Sequence, residues 1–201
     1  MNDFTIIDLL RHGEPDGGQK FRGAVDDPLS PHGWEQMRSA VGDCRDWAAI
    51  ISSPLIRCAA FAHDLAERLE RPLEIAPGFT EISFGVWEGR SVAEVHATDP
   101  TALGQFWRDP VAHPIPGGEP VADFDQRISA AWAALLARYH GQHVLLVAHG
   151  GTIRMVLRQV LEMPLHRIWR IEAPFASLTR LRVHCDPGSE PHLVFHNGRL
   201  G

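Results

Sequence analysis

One pattern occurs three times along the chain: a short apolar run, then a polar or glycine-containing turn, then a segment with helical periodicity. The apolar runs are Phe4 to Leu10, Trp47 to Ile51 and Val144 to Ala148. Near-continuous apolar strands that alternate with helices are typical of a mostly parallel sheet, because both faces of such a sheet are covered. The pattern therefore predicts an α/β fold, a three-layer sandwich with helices on both faces of a mostly parallel central sheet.

Helix starts are predicted by serine or aspartate caps that are followed by proline or by capping-box spacing. The predicted helices begin at Ser30-Pro31 (running to about Cys44), Ser53-Pro54, Ser91 to Glu94 and Asp99-Pro100, and another covers Phe124 to Tyr139.

Toward the end, Ser177 to Val183 alternates in hydropathy and Leu193 to Phe195 follows a turn, which predicts a hairpin at a sheet edge. Pro110 to Pro120 is the one long loop signal, and we expect it to form a lid or a wall of a site.

The composition limits the domain count and the classes of partner. With 201 residues, 44% of them hydrophobic, the chain is the size of one ordinary domain, and we expect a single domain over residues 1–201. A net charge of -6 provides no global basic field for nucleic acid. No apolar run approaches the roughly 20 residues that a membrane-spanning helix needs.

The first residues, Met1 to Asp8, lack the basic segment of a signal peptide, so a cytoplasmic location is expected. An odd number of cysteines without metal-type pairing (Cys44, Cys58 and Cys185) favours reduced thiols. Although the chain has 12 histidines, none shows zinc-type spacing, so neither a metal nor another cofactor is expected.

Chemistry-bearing residues follow each of the three apolar runs. They are Arg11 and His12 after the first, Arg57 one helical turn past the second, and His149 with Gly150 and Gly151 after the third. Ligands of open α/β sheets bind at the carboxyl ends of the strands, where helix N-termini and loop amides collect. If the three strands are parallel neighbours, two arginines and two histidines face one pocket.

These residue types fit the transfer of a phosphoryl group. Guanidinium groups match phosphoryl oxygens, and a neutral imidazole attacks phosphorus when its other ring nitrogen is held by an acceptor. Such a transfer depends on alignment and charge stabilisation, so no metal is obligatory. A leaving alkoxide needs a carboxylic acid, for which Glu81 lies among apolar residues and glycine. Glu14 and Glu88 are alternative acids that the spacing leaves open.

Four motifs stand in a fixed order along nearly the whole chain. They are Arg11 to Glu14, Ser52 to Arg57, Glu81 to Gly89 and His149 to Arg154. Together they resemble the motifs of the histidine phosphatase superfamily, which has the phosphoglycerate-mutase-like fold. The resemblance implies that His12 is the phosphorylated nucleophile, that Glu81 is the proton donor, and that Arg11, Arg57 and His149 form the phosphate pocket.

Softer motifs resemble a subfamily, the alpha-ribazole phosphatases of cobalamin biosynthesis, which remove a 5'-phosphate. They are Arg11 to Pro15, Gly78 to Arg90, Phe106 to Pro110 and Pro116 to Glu119. Phosphoglycerate mutases are similar too and align Phe21-Arg22-Gly23 with a segment that contacts substrate, which implies substrate binding by Arg22 and Gly23. Mutases usually place asparagine soon after the first motif, where this chain has Pro15 to Gly18.

The sequence therefore predicts an enzyme that hydrolyses a small phosphomonoester, and Gly150 and Gly151 are expected beside that substrate. A broad-specificity phosphatase, a mutase and a phosphate-binding module without catalysis are the alternatives. The oligomeric state stays open, a homodimer included. Of the remaining residues, Arg154 is expected to pair with an acid or a carbonyl, Cys58 to be buried, and the tryptophans to pack in the core or at its rim.

Overall fold

The structure is a computed structural model that describes residues 3–200. Its six strands are β1 (Phe4–Arg11), β2 (Ala49–Ser52), β3 (Leu73–Ile75), β4 (His143–Ala148), β5 (Leu178–His184) and β6 (Pro191–Gly198). Its six α-helices are α1 (Pro31–Val41), α2 (Ile56–Leu69), α3 (Val92–Thr98), α4 (Pro100–Arg108), α5 (Val121–Arg138) and α6 (Gly150–Val160). Within residues 3–200, no helix has the length and apolar character needed to cross a membrane.

The strands form one sheet in the order β3-β2-β4-β1-β5-β6. The first four are parallel, β5 runs antiparallel to β1, and β6 runs antiparallel to β5, which confirms a mostly parallel sheet. Because β4 lies between β1 and β2, the three predicted strands are neighbours. Arg11 pairs with Ala148 and Ser52 pairs with Val147, so all three carboxyl ends lie at one edge of the sheet.

Helices cover both faces of the sheet, which confirms the three-layer sandwich. Alternate strand residues belong to two hydrophobic clusters: Leu9 and Leu146 pack with α3 to α6, and Leu10 and Leu145 pack with α1 and α2. Side chains of a strand alternate between the faces, and a buried parallel strand must be apolar on both. This requirement explains the near-continuous apolar runs in the sequence.

The capping predictions hold at three helices and fail at one. The side chains of Ser30, Ser91 and Asp99 accept hydrogen bonds from the first turns of α1, α3 and α4. By contrast, α2 begins at Ile56, and Ser53 does not cap it. The hydroxyl of Ser53 lies instead just after β2 and contacts His149, which is described with the candidate active site below.

The C-terminal hairpin is confirmed, since β6 is an edge strand paired antiparallel to β5. The loop from Pro110 to Pro120 has a different role from the predicted lid or wall. Its backbone pairs with the segment from Ser83 to Val86, through the bonds of Val86 N to Pro116 O and Glu119 N to Ser83 O. The loop holds that segment in place through these backbone hydrogen bonds and contributes no residue to the cavity wall.

A buried carboxylate on β1 links this strand to both of its neighbours, β4 and β5. Asp8 on β1 is fully buried and accepts hydrogen bonds from Trp47, His143 and Arg180, at 2.7 to 2.9 Å. Burial on its own raises the pKa of Asp8, but these hydrogen bonds outweigh it and hold the pKa below its usual value. The folded state therefore keeps Asp8 ionised at a pH where the unfolded chain takes up a proton.

We expect Asp8→Asn to lower the free energy of unfolding at pH 7 by about 2–3 kcal/mol, because Arg180 loses its carboxylate partner and an amide replaces one of the buried acceptor oxygens by a donor. Urea unfolding measures the loss, with the exposed Asp43→Asn as the control. The stabilisation is present above the pKa of the unfolded chain and is lost as the pH falls through the lowered pKa. The difference between wild type and variant should therefore shrink below about pH 4; a constant difference from pH 7 to pH 3 contradicts this account.

Candidate active site

A cavity of about 530 Å³ opens at the carboxyl edge of the parallel strands. Six of the residues expected from the sequence belong to its wall: Arg11, His12, Arg22, Glu81, Gly150 and Gly151. Arg57 and His149 are fully buried and lie deeper in the protein. The topology thus brings the ends of β1, β2 and β4 together around one space.

His12 follows β1 directly and is 5% exposed. Its Nδ1 lies 2.7 Å from the carbonyl oxygen of Gly13, which can only accept, so Nδ1 carries the proton and Nε2 keeps its lone pair. Burial, together with the charges of Arg11 and Arg57, holds the pKa of His12 well below 6.5. The ring is therefore neutral at pH 7, with Nε2 as the available nucleophilic atom.

His149 follows β4 directly and lies beside His12, with 5.3 Å between the ring centroids. Its Nε2 lies 2.7 Å from Oγ of Ser53, the serine that the sequence assigned to a helix cap. Cys58 contacts the same ring through Sγ at 3.7 Å, and burial raises the pKa of its thiol. Burial and the charge of Arg57 hold the pKa of His149 well below 6.5 as well.

Arg11 is framed by the segment from Ala173 to Ser177, which the sequence did not single out. The guanidinium group lies 4.1 Å from the ring centroid of Phe175, and Nη1 donates to the carbonyl oxygen of Ala173. Burial and the neighbouring Arg154 lower the pKa of Arg11 to about 10, and the carboxylate of Glu81 opposes that shift. Arg11 remains charged at pH 7, and its buried Nε has no acceptor among the described residues.

Arg57 lies in the first turn of α2 and is 0% exposed. Its terminal nitrogens donate to the backbone carbonyls of Arg22, Gly23 and Val25, at 2.7 to 3.1 Å. The buried Nε finds no acceptor among the described residues. A guanidinium group with a spare buried donor, next to two neutral imidazoles, favours an anion at this position.

Glu81 is held at the N-terminus of α6. Its Oε2 accepts from the amide of Gly151 at 2.8 Å, and its Oε1 accepts from the amide of Ile82 at 3.0 Å. A Cβ added to Gly151 would lie 2.2 Å from Oε1 of Glu81, so the glycine is what lets the carboxyl group approach the helix. This places Glu81 in the cavity wall, close to the ends of β1 and β4.

The two alternative acids lie elsewhere. The carboxylate of Glu88 accepts from four backbone amides, including that of Gly23, and is outside the cavity wall. Glu14 does not line the cavity either. Gly23, expected from the mutase alignment to touch substrate, packs against the carbonyl of Ile82 and Glu88 and does not reach the wall.

Three residues of the wall, Arg154, Trp107 and Trp169, were not expected there from the sequence. Arg154 donates to the carbonyl of Ile171, as expected, but it also lines the cavity beside Trp169. Trp107 and Trp169 belong to the wall, whereas Trp47, Trp87 and Trp132 are in the core. Arg22 lines the cavity, while its nitrogens donate to Asp27 and to the carbonyls of Asp16 and Gly18. The signals for Arg154 in the sequence were its helical spacing from Gly150 and its place at the end of the fourth motif.

This arrangement can bind an anion and hold a neutral nucleophile against it. The N-terminus of α6, with Gly150 and Gly151, faces the same cavity and adds the positive end of a helix dipole. Within the part of the chain that the structure describes, no three His, Cys, Asp or Glu side chains gather into a metal-binding set. The positive charge of the site comes from Arg11, Lys20, Arg22 and Arg154 in the wall and from Arg57 deeper in the protein.

The sequence model of the histidine phosphatase superfamily (branch 1) matches residues 7–195. The chain belongs to this superfamily, whose members are phosphatases or mutases that act on small phosphorylated substrates. The fold and the order of the four motifs agree with this membership.

Curated relatives carry several names. The "Bifunctional protein Rv2228c" of Mycobacterium tuberculosis (strain H37Rv) is 31% identical over 98% of this chain, which spans 55% of that relative's length. The glucosyl-3-phosphoglycerate phosphatase of Mycobacterium tuberculosis (strain CDC 1551) is 32% identical over 90% of this chain and 87% of the relative. The adenosylcobalamin/alpha-ribazole phosphatase of Escherichia coli is 27% identical over 80% of this chain and 81% of the relative.

Among solved structures, Bacillus stearothermophilus YhfR has a TM-score of 0.85 and 26% identity, covering 98% of both chains. The predicted phosphoglycerate-mutase-like fold is therefore confirmed.

The protonation of His12 can be measured directly. In a ¹⁵N-labelled sample we expect His12 to stay neutral at pH 6, with the proton on Nδ1, because burial and two guanidinium groups disfavour the imidazolium. His12→Asn assigns the signal, and the exposed His63 provides a reference imidazole in the same spectrum. An imidazolium at pH 6.5, or a proton on Nε2 of the neutral ring, contradicts the tautomer inferred from the Gly13 contact.

Proposed function

We propose that this chain is a single-domain, metal-independent phosphomonoester hydrolase that acts through a phosphohistidine on His12. The observation that carries the proposal is the neutral His12. Its Nδ1 is held by the carbonyl of Gly13, and the guanidinium groups of Arg11 and Arg57 lie close enough to lower its pKa. In this proposal Arg11 and Arg57 bind the phosphoryl group, and His149 donates to the charge that develops on it.

The chemical steps follow from the atoms present. The lone pair of His12 Nε2 attacks phosphorus, the bond to the leaving oxygen breaks, and Glu81 in its acid form protonates that oxygen. Water then attacks the phosphohistidine, the P–N bond breaks, and the Glu81 carboxylate accepts the proton from water. Inorganic phosphate and the neutral imidazole are left, so the enzyme returns to its starting state.

Hydrolysis of p-nitrophenyl phosphate should be unaffected by EDTA and abolished in His12→Ala, because the nucleophile is the imidazole itself. Rapid acid-free quenching during turnover should trap phosphate on wild-type protein only. Glu81→Gln should lose about 100-fold or more of kcat with an alkyl phosphate and much less with p-nitrophenyl phosphate, whose leaving group needs little protonation.

Activity lost to EDTA, or full turnover without trapped phosphate, would refute the mechanism. Complete inactivity of a folded protein that still binds phosphate would favour the binding-module alternative. Conversion of 3-phosphoglycerate with a bisphosphate primer, in preference to hydrolysis, would favour a mutase.

For the substrate we propose alpha-ribazole 5'-phosphate, a ribose phosphate that carries a fused aromatic ring. The support is the aromatic side of the cavity. The rings of Phe84, Phe21, Trp107 and Trp169 form a continuous wall, with successive centroids 5.1, 6.0 and 5.2 Å apart. Trp107 is 39% exposed at the mouth of the cavity, which leaves an indole surface free to pack against a flat leaving group.

A matched pair of substrates tests this wall. Alpha-ribazole 5'-phosphate and ribose 5-phosphate share the phosphoryl end and differ in the ring, and stacking of one base is worth about 1–3 kcal/mol. We expect the ring-bearing substrate to have a kcat/KM about tenfold higher or more. Trp107→Leu should remove this preference through KM, and Trp107→Phe should largely retain it.

Trp34→Leu is the matched control, since Trp34 packs on Phe61 and Arg38 outside the cavity. Equal kcat/KM for the two substrates in the wild-type enzyme would reject the proposed leaving group while leaving the phosphohistidine mechanism intact.

A further inference from the structure

Arg57 has an unusual environment for a buried cation. It is 0% exposed, and its nearest carboxylate, Asp26, lies 3.9 Å from Nη1 with a side chain that is 46% exposed. An exposed carboxylate is screened by water and compensates a buried charge weakly. The close partners of Arg57 are three uncharged backbone carbonyls in the segment from Arg22 to Val25.

The amides of the same segment face a second carboxylate. Glu88 accepts from the N–H groups of Gly23, Ala24 and Val25, at 3.0 to 3.3 Å, and from that of Phe84 at 2.8 Å. Its carboxylate is therefore bonded entirely by main-chain donors. None of the hydrogen bonds of Glu88 joins it to another ionised side chain in the described part of the chain.

Two peptide groups are shared between Glu88 and Arg57. In the peptide between Arg22 and Gly23, the carbonyl accepts from Nη2 of Arg57 at 3.1 Å and the N–H donates to Glu88. In the next peptide, the Gly23 carbonyl accepts from the same Nη2 at 3.1 Å and the N–H of Ala24 donates to Glu88 at 3.0 Å. Each peptide thus has its positive end on the carboxylate and its negative end on the guanidinium group.

Hydrogen bonds arranged in series polarise one another, and charged ends strengthen the effect in a poorly solvated environment. Gly23 makes the arrangement sterically feasible. A Cβ added there would lie 2.1 Å from the carbonyl oxygen of Ile82 and 2.4 Å from Oε1 of Glu88, so a larger residue would push the segment away from the carboxylate.

We propose that Glu88 is a positioning residue for the phosphate pocket and acts on Arg57 through these two peptide groups. The carboxylate fixes and polarises the carbonyls that hold the guanidinium group. Arg57 is thereby oriented, with its charge partly balanced, before an anion arrives, although Glu88 touches neither Arg57 nor the cavity. The inference rests on the proposed role of Arg57 in binding phosphate.

A double-mutant cycle separates this role from a structural one. Glu88→Gln keeps the size of the side chain but removes the charge and replaces one acceptor by a donor. In the wild-type background we expect kcat/KM for p-nitrophenyl phosphate to fall about tenfold or more. In the Arg57→Gln background, Glu88→Gln should cost about twofold or less, because the group that it positions is already missing.

The matched control is Glu94→Gln. Glu94 also accepts main-chain and serine hydrogen bonds, but at the start of α3 and outside the cavity wall. Its effect should be small and should be the same in both backgrounds. If Glu88→Gln fails to fold, as judged by circular dichroism, the cycle is run with Glu88→Asp, which keeps the charge and shortens its reach.

Equal losses from Glu88→Gln in both Arg57 backgrounds would overturn the proposal, because the glutamate would then act on the fold and not on Arg57. The same cycle on binding of inorganic phosphate, measured by calorimetry, keeps this result apart from the proposed function. Coupling in phosphate binding without hydrolysis would support the positioning role and reject the hydrolase. Hydrolysis without coupling in phosphate binding would support the hydrolase and reject the positioning role.

Discussion

The arrangement that the rest of the site depends on is the gathering of the guanidinium groups of Arg11, Arg57 and Arg154 around two neutral imidazoles. Burial, together with the repulsion between neighbouring cations, lowers the pKa of Arg11 to about 10 and holds the pKa values of His12 and His149 well below 6.5. A protein tolerates such a cluster only where carbonyls, helix dipoles or a bound anion balance it. Here backbone carbonyls and Glu81 supply part of that balance, and the remainder favours an anion in the cavity.

The same electrostatics fix the chemistry of His12. A cluster of cations favours the neutral imidazole, and the carbonyl of Gly13 selects the tautomer that leaves Nε2 free. The fold provides these conditions through strand order, since β4 between β1 and β2 brings residues from three chain segments to one edge. Asp8 ties β1 to β4 and β5 on the buried face of the same sheet, so the position of the strand ends depends on that carboxylate as well.

Backbone groups contribute as much to the site as side chains do. Arg57 is held by carbonyls, Glu81 and Glu88 by amides, and Arg11 by the carbonyl of Ala173. These partners lie in loops whose side chains give no pattern in the sequence, such as the segment from Ala173 to Ser177. The aromatic wall has a similar origin, because Phe21, Trp107 and Trp169 come from distant segments and share a wall only in the folded chain.

The sequence by itself determined the parallel sheet, its two helical layers and the residues at the strand ends, because periodicity, caps and strand-end chemistry are local properties. It left three acids open, assigned Ser53 to a cap, read the loop after Pro110 as a wall and expected Gly23 at the substrate. Only the tertiary structure shows where these groups lie relative to the cavity, since each position depends on which distant backbone group a side chain meets. Residue propensities predict the local conformation of a segment, whereas packing determines which distant segments come into contact.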